Sequence, residues 1–144
     1  MKEWKLIADI NIEAETEIIE LNTYEDGTLL NCNELTGASY GLMSDAESST
    51  EFIRLELNNV SIPLYNGNVF QSTTTHVGTF DIIDIGIGKK LQFKTPELPS
   101  RGTGAPVLEA SINSPAVIEK ISSIKMSMWH SYVFTGGRIV ICGR

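Results

Sequence analysis

Two histidines, two cysteines and 18 carboxylates are the side chains in this 144-residue chain that could carry acid–base, nucleophilic or metal chemistry. His76 and His130 each sit among Thr, Ser and aromatic residues, with no second metal ligand two or four positions along. A zinc site needs three or four nitrogen or sulfur ligands converging. Here it would have to gather His76, His130, Cys32 and Cys142 from four distant places. The two cysteines match no zinc, haem or thioredoxin spacing, and nothing marks an oxidising compartment that would join them. Both read as small buried or half-buried hydrophobes. A Ser/His/Asp triad need not be local in sequence, but the chain holds no G-x-S-x-G elbow. Glu13, Glu15, Glu17 and Glu20, and the pair Asp81 and Asp84, could face each other across a cleft as glycosidase carboxylates do. The plainer reading of all six is a solvated face. Asp45 and Glu47 could ligate calcium, yet no D-x-D-x-D-G pattern supports them.

Gly102-Thr103-Gly104 and Gly86-Ile87-Gly88 lack the Lys-Ser/Thr and the helix start of a phosphate loop. Asn59-Val60-Ser61 matches the glycosylation sequon by chance. Aromatic side chains remain. Buried ones fill a core; exposed ones stack on sugars or anchor interfaces. Trp4 and Phe134 read as core. For Trp129 and Tyr132, which flank His130 in a loop, the two readings stand level. Trp129, His130 and Tyr132, with Arg101 of a Pro/Gly loop, are the candidate glycan- or partner-binding residues. No catalytic, metal or cofactor residue is assigned, and no cofactor is expected.

The elements that must position these residues are strands. Leu6, Ala8, Ile10 and Ile12 alternate with Lys5, Asp9 and Asn11, giving one wet face. Ile53, Leu55 and Leu57 alternate with Arg54, Glu56 and Asn58; Leu91 and Phe93 with Lys90, Gln92 and Lys94; Ile124, Met126 and Met128 with Lys125 and Ser127. Phe80 to Ile87 is apolar on both faces, as a central strand is. The best helical stretch, Asn113 to Lys125, is weakened by Pro115 and three isoleucines. Asp26-Gly27 and Asn66-Gly67 are hairpin signals, and Gly86, Gly88 and the following lysines mark another bend. The segments from Ser44 to Thr50 and from Thr95 to Pro106 read as loops, since Pro96, Pro99 and Pro106 have no N–H for a ladder. Short strands at this rhythm make an all-β, antiparallel β-sandwich or barrel, and the length suits a single domain over residues 1–144.

Bulk properties bound the partners. The composition is 42% hydrophobic and 20% charged, that of a globular chain. Eleven Lys and Arg stand against 18 Asp and Glu, a formal charge of −7, and only Lys89-Lys90 places two cations side by side. Phosphate-backbone binding needs clustered cations, so nucleic acid is not an expected partner, and neither is an anionic membrane surface. No stretch reaches the length of a membrane-spanning helix, and the opening residues do not read as a secretory signal. Synthesis in the cytoplasm is expected.

The two ends of the sequence carry a resemblance. The start reads Glu3-Trp4-Lys5-Leu6-Ile7-Ala8-Asp9-Ile10, followed by Gly27 and Leu29 to Leu35. The finish reads Ile121, Ile124 and Met126, then Phe134-Thr135-Gly136-Gly137-Arg138-Ile139-Val140-Ile141-Cys142-Gly143. Together they resemble a family of small virion proteins of tailed bacteriophages, in which an opening Trp strand precedes an acidic segment and a closing strand pair ends the domain. The middle of the chain matches in strand rhythm alone, and Cys142 stands where the family has Tyr before the last Gly. The resemblance implies a jelly-roll-like sandwich with first and last strands side by side, Phe134 plugging the core and Gly136-Gly137 turning the chain into the last strand.

It also implies structural duty rather than catalysis: a virion structural protein, either a capsid decoration or head-fibre component or a tail or baseplate module. Such a protein would be made in the host bacterial cytoplasm and carried on the virion. Its expected partners are other virion proteins and further copies of itself, a homo-oligomer with a trimer as the leading form. The alternative is a carbohydrate-binding module for host attachment, since jelly-roll sandwiches bind glycans through loop aromatics. A tail-associated hydrolase ranks last.

Overall fold

Alternation of apolar and polar side chains, rather than any helical period, organises this chain, and every regular element described is a strand. The structure is a computed structural model and describes residues 3–45, 53–63, 76–84, 89–94, 107–112, 119–128 and 132–144. Within these residues run β1 (Lys5–Ile12), β2 (Ile18–Leu21), β3 (Leu35–Ser44), β4 (Ile53–Leu57), β5 (Val60–Pro63), β6 (His76–Asp84), β7 (Lys89–Lys94), β8 (Val107–Ile112), β9 (Ile124–Met128) and β10 (Phe134–Gly143). The turn expected at Asn66-Gly67, the glycines of the bend before Lys89, and the loop from Thr95 to Pro106 lie outside the described residues.

Two antiparallel sheets result, with strand orders β1-β10-β3-β6-β7-β8 and β2-β9-β4-β5. Without β7 and β8 the orders are 1-10-3-6 and 2-9-4-5. The first four of these eight strands alternate with the last four in each sheet, which is the double Greek key of a jelly roll. The pair β7 and β8 extends the first sheet beyond β6 as a meander. First and last strands lie side by side, from Lys5 opposite Gly143 to Ile12 opposite Gly137.

One core fills the space between the sheets. Ile7, Ile12, Leu35, Leu42, Phe80, Ile82, Ile139 and Ile141 of the larger sheet face Ile19, Ile53, Leu55, Leu57, Ile124, Met126 and Met128 of the smaller one. Phe134 is fully buried, as expected. Strands β4 and β9 keep a strict buried–half-buried alternation. The helical stretch is absent from the described part of 113–125: Ile121 bridges to Cys32, and Ile124 opens β9.

Several local readings change. In β1 the register slips between Leu6 and Ala8. This bulge turns Ile7 inward, so Leu6 is only half-buried and Ile7 takes its place in the core. Gly136-Gly137 does not turn the chain into a separate strand; both lie inside β10, where the register against β3 shifts twice. Gly137 has φ of +110°, and a Cβ there would stand 2.6 Å from the Leu42 Cα, so neither conformation nor space admits a side chain. Lys89 does not mark a bend but opens β7, with its side chain buried. Asn58, read as one polar position of a strand, instead begins a two-residue hairpin with Asn59. Their φ angles of 51° and 66° are those of a type I′ turn.

Candidate functional site

The outer face of the smaller sheet is built from the polar halves of its alternating strands. Register places Ile18 of β2 opposite Ser127 of β9, and Ser127 opposite Arg54 of β4. Beside this row, Glu20, Lys125 and Glu56 form a second one, with Lys125 Nζ 3.8 Å from the Glu20 carboxylate. The Arg54 guanidinium is held in place by Glu56 at 2.9 Å, and its Nε–H donates to the Ser61 hydroxyl at 3.0 Å. Such exposed pairs contribute little stability; their effect here is to fix where the guanidinium points.

At the end of the first row the surface sinks into a cleft of about 180 Å³ lined by Glu17, Ile18, Arg54, Ser127, Met128 and Tyr132. The approach of Tyr132 is set by backbone. Thr16 and Phe134 exchange two N–H···O bonds of 2.9 Å, which brings the residues flanking β2 and β10 together. On the other side, the Asp45 carboxylate accepts from the Val133 N–H at 2.8 Å, while the Asp45 N–H donates to the Val133 carbonyl at 3.3 Å. Asp45 therefore anchors the strand that follows Tyr132. Glu47 lies outside the described residues. Tyr132 is half-buried and packs against the core, so it belongs to both environments between which its sequence position could not decide. Trp129, His130 and Arg101 lie outside the described residues. Glu17, Arg54 and Ser127 were visible in the sequence only as solvated polar positions.

Other candidates part company. Cys32 is buried between the sheets, whereas Cys142 alternates with inward Ile141 and Gly143 and so lies on the outer face; both are free thiols. Burial pushes the Cys32 thiol up to about 11, and it also raises Cys142. Asp81 accepts from the Thr36 hydroxyl at 2.7 Å, and Asp84 lies 3.5 Å from the buried Lys89 ammonium, which also donates to the Glu119 carbonyl at 3.2 Å. Among the described residues no group of three His, Cys, Asp or Glu side chains is close enough to hold a metal ion.

Trp4 is not a core residue. It is 44% exposed, and the Arg144 guanidinium lies 4.5 Å above its ring. Arg144 in turn donates to Glu34 at 2.9 Å, and Glu34 accepts from the Asp84 N–H at 3.2 Å. The ring is shielded by a cation rather than by the sandwich interior, because it precedes β1 and stands beside the last residues of β10. On the outer face of the larger sheet, Tyr40 is 51% exposed and opposes Arg138, whose guanidinium makes a bidentate pair with Asp9 at 2.8 and 2.7 Å. That pair holds the Asp9 carboxyl below its usual range. No protein-family model, curated protein or solved structure matches the chain.

Proposed function

We propose that this protein is a non-enzymatic structural component of a tailed-bacteriophage particle, an accessory capsid or tail–baseplate module held by protein–protein contacts. The observation that carries this reading is the strand order 1-10-3-6 and 2-9-4-5 with β1 zipped against β10. It is the arrangement that the opening Trp strand and the closing Phe134 to Gly143 strand implied. Jelly rolls serve capsids and lectins alike, and a fold by itself names no function; the resemblance at the two ends is what favours the former in this reading. The outer face of the larger sheet adds a surface for such contacts. Tyr40 projects from it among the short side chains of Thr36, Ala38 and Thr79, with the Asp9–Arg138 pair fixed alongside. Exposed tyrosine beside arginine is the composition that protein interfaces favour.

The test is reconstitution. Purified protein is analysed by size-exclusion chromatography with light scattering, then sedimented with particles of the encoding phage assembled without it. The expected result is a discrete oligomer that binds the particles saturably, and Tyr40→Ala should weaken either the oligomer or the attachment. A monomer at high concentration that stays in the supernatant overturns the proposal.

A further inference from the structure

We propose that the cleft at the end of the β2–β9–β4 row is a binding site for one neutral sugar ring. Its volume, about 180 Å³, has room for a single pyranose ring. Its lining offers both halves of sugar chemistry. Ile18, a 53% exposed isoleucine, and Tyr132 give the mostly polar lining an apolar edge for the C–H groups of a ring. Glu17 accepts hydrogen bonds, Arg54 donates them, and the Ser127 hydroxyl does both, so vicinal hydroxyls meet complementary groups.

Charge selects the class. Across the two rows Glu17, Glu20 and Glu56 outnumber Arg54 and Lys125 by one charge, and the whole chain carries −7. A uronate or sialylated ring would be repelled, and a cationic amino sugar would meet Arg54. The guanidinium is pre-positioned by Glu56 and Ser61, so binding costs little additional ordering of that side chain. One ring in an open cleft binds weakly; many copies on one particle would multiply the effect through effective concentration. That last step rests on the particle reading, whereas the cleft does not.

The full-length protein, isotopically labelled, is titrated with the methyl glycosides of glucose, galactose, mannose, N-acetylglucosamine and glucuronic acid, and amide shifts are followed. At least one of the four neutral glycosides should shift Ile18, Arg54, Ser127 and Tyr132 saturably, with the glucuronide weaker than the glucoside. Arg54→Ala should weaken binding roughly tenfold, the loss expected of a charged hydrogen bond. Glu17→Gln, at an exposed position, should weaken it with the fold intact. Tyr40→Ala, on the other sheet, should leave it unchanged. The proposal is overturned by shifts in none of the four neutral titrations, by tighter binding of the glucuronide, or by binding that both cleft variants leave intact. None of these outcomes bears on attachment to particles, and loss of attachment would not bear on them.

Discussion

At Cys32 burial sets the chemistry. Its thiol lies 3.9 Å from the Ile121 carbonyl, within the core, and its pKa is pushed up to about 11. The nucleophilic thiolate is therefore scarce at neutral pH. In the native protein at pH 7.5, alkylation followed by mass spectrometry should modify Cys142 first and leave Cys32 protected until unfolding; equal rates would contradict its placement. Asp9 and Asp26 behave oppositely to the thiols. Arg138 holds the Asp9 carboxyl below its ordinary value, and Lys5 at 2.6 Å, with both the hydroxyl and the N–H of Thr28, does the same for Asp26. A carboxyl with a folded pKa below its unfolded value of about 3.9 stabilises the fold above that value. The contribution is lost as pH falls through the lowered pKa. Urea unfolding across a pH series should therefore show the stability of Asp26→Asn falling less steeply below about pH 4 than that of the parent. An unchanged acid slope would exclude Asp26 as a contributor. Trp4 shows why residue type alone misleads at this scale: an indole can be covered by a core or by one guanidinium, and sequence does not reveal that Arg144 lies over it.

Among the elements, β4 and β9 were legible because their alternation is unbroken and both faces are what they appear to be in sequence. β1 and β10 were legible as strands but not in register, because a bulge leaves no mark in an apolar run such as Leu6-Ile7-Ala8. The Gly136-Gly137 pair signalled positive φ correctly, yet such a signal serves a bulge as well as a turn. Gly137→Ala should destabilise by at least about 1–3 kcal/mol, the cost of an L-residue forced into that region, with the clash of its Cβ against the Leu42 backbone added to it, measured by chemical denaturation; a neutral substitution would contradict the bulge. Asn58 was missed because its partners lie more than sixty positions on. Its Oδ1 accepts from the Ser122 N–H at 2.8 Å, the Ser122 hydroxyl at 3.1 Å and the Ser123 N–H at 3.2 Å, and its Nδ2 donates to the Lys120 carbonyl at 2.6 Å. These bonds fasten the β4–β5 hairpin to the segment entering β9. Asn58→Gly keeps the backbone permissive and removes the bonds, so it should cost about 1–3 kcal/mol; a loss of a few tenths would mean that the anchor is unnecessary. The cleft was illegible for a related reason: Ile18, Arg54 and Ser127 become neighbours only when three strands adopt their register.

For the whole molecule, the fold depends on strands far apart in sequence closing against one another. Phe134 sits where β10 enters the core, fully buried, and its backbone is paired with Thr16. Phe134→Ala should cost about 3–5 kcal/mol, the range for a large aromatic removed from a tight interior, with a single cooperative transition moved to lower denaturant. The jelly-roll order arises because each sheet interleaves early and late strands, and the β7–β8 extension widens one sheet without disturbing that order. The wider sheet leaves a broad outer face, and the narrower one carries the cleft, so the two proposed contacts would fall on opposite sides of the sandwich. The most direct measurement of the proposed function is an electron-microscopy map of intact particles from a tailed phage whose genome carries this sequence. The account predicts repeated density fitting a ten-stranded sandwich, with the Tyr40 face against a neighbouring protein and peptides of this chain in the same purified particles. A map in which every density is filled by other proteins, from particles yielding no peptide of this chain, would contradict it.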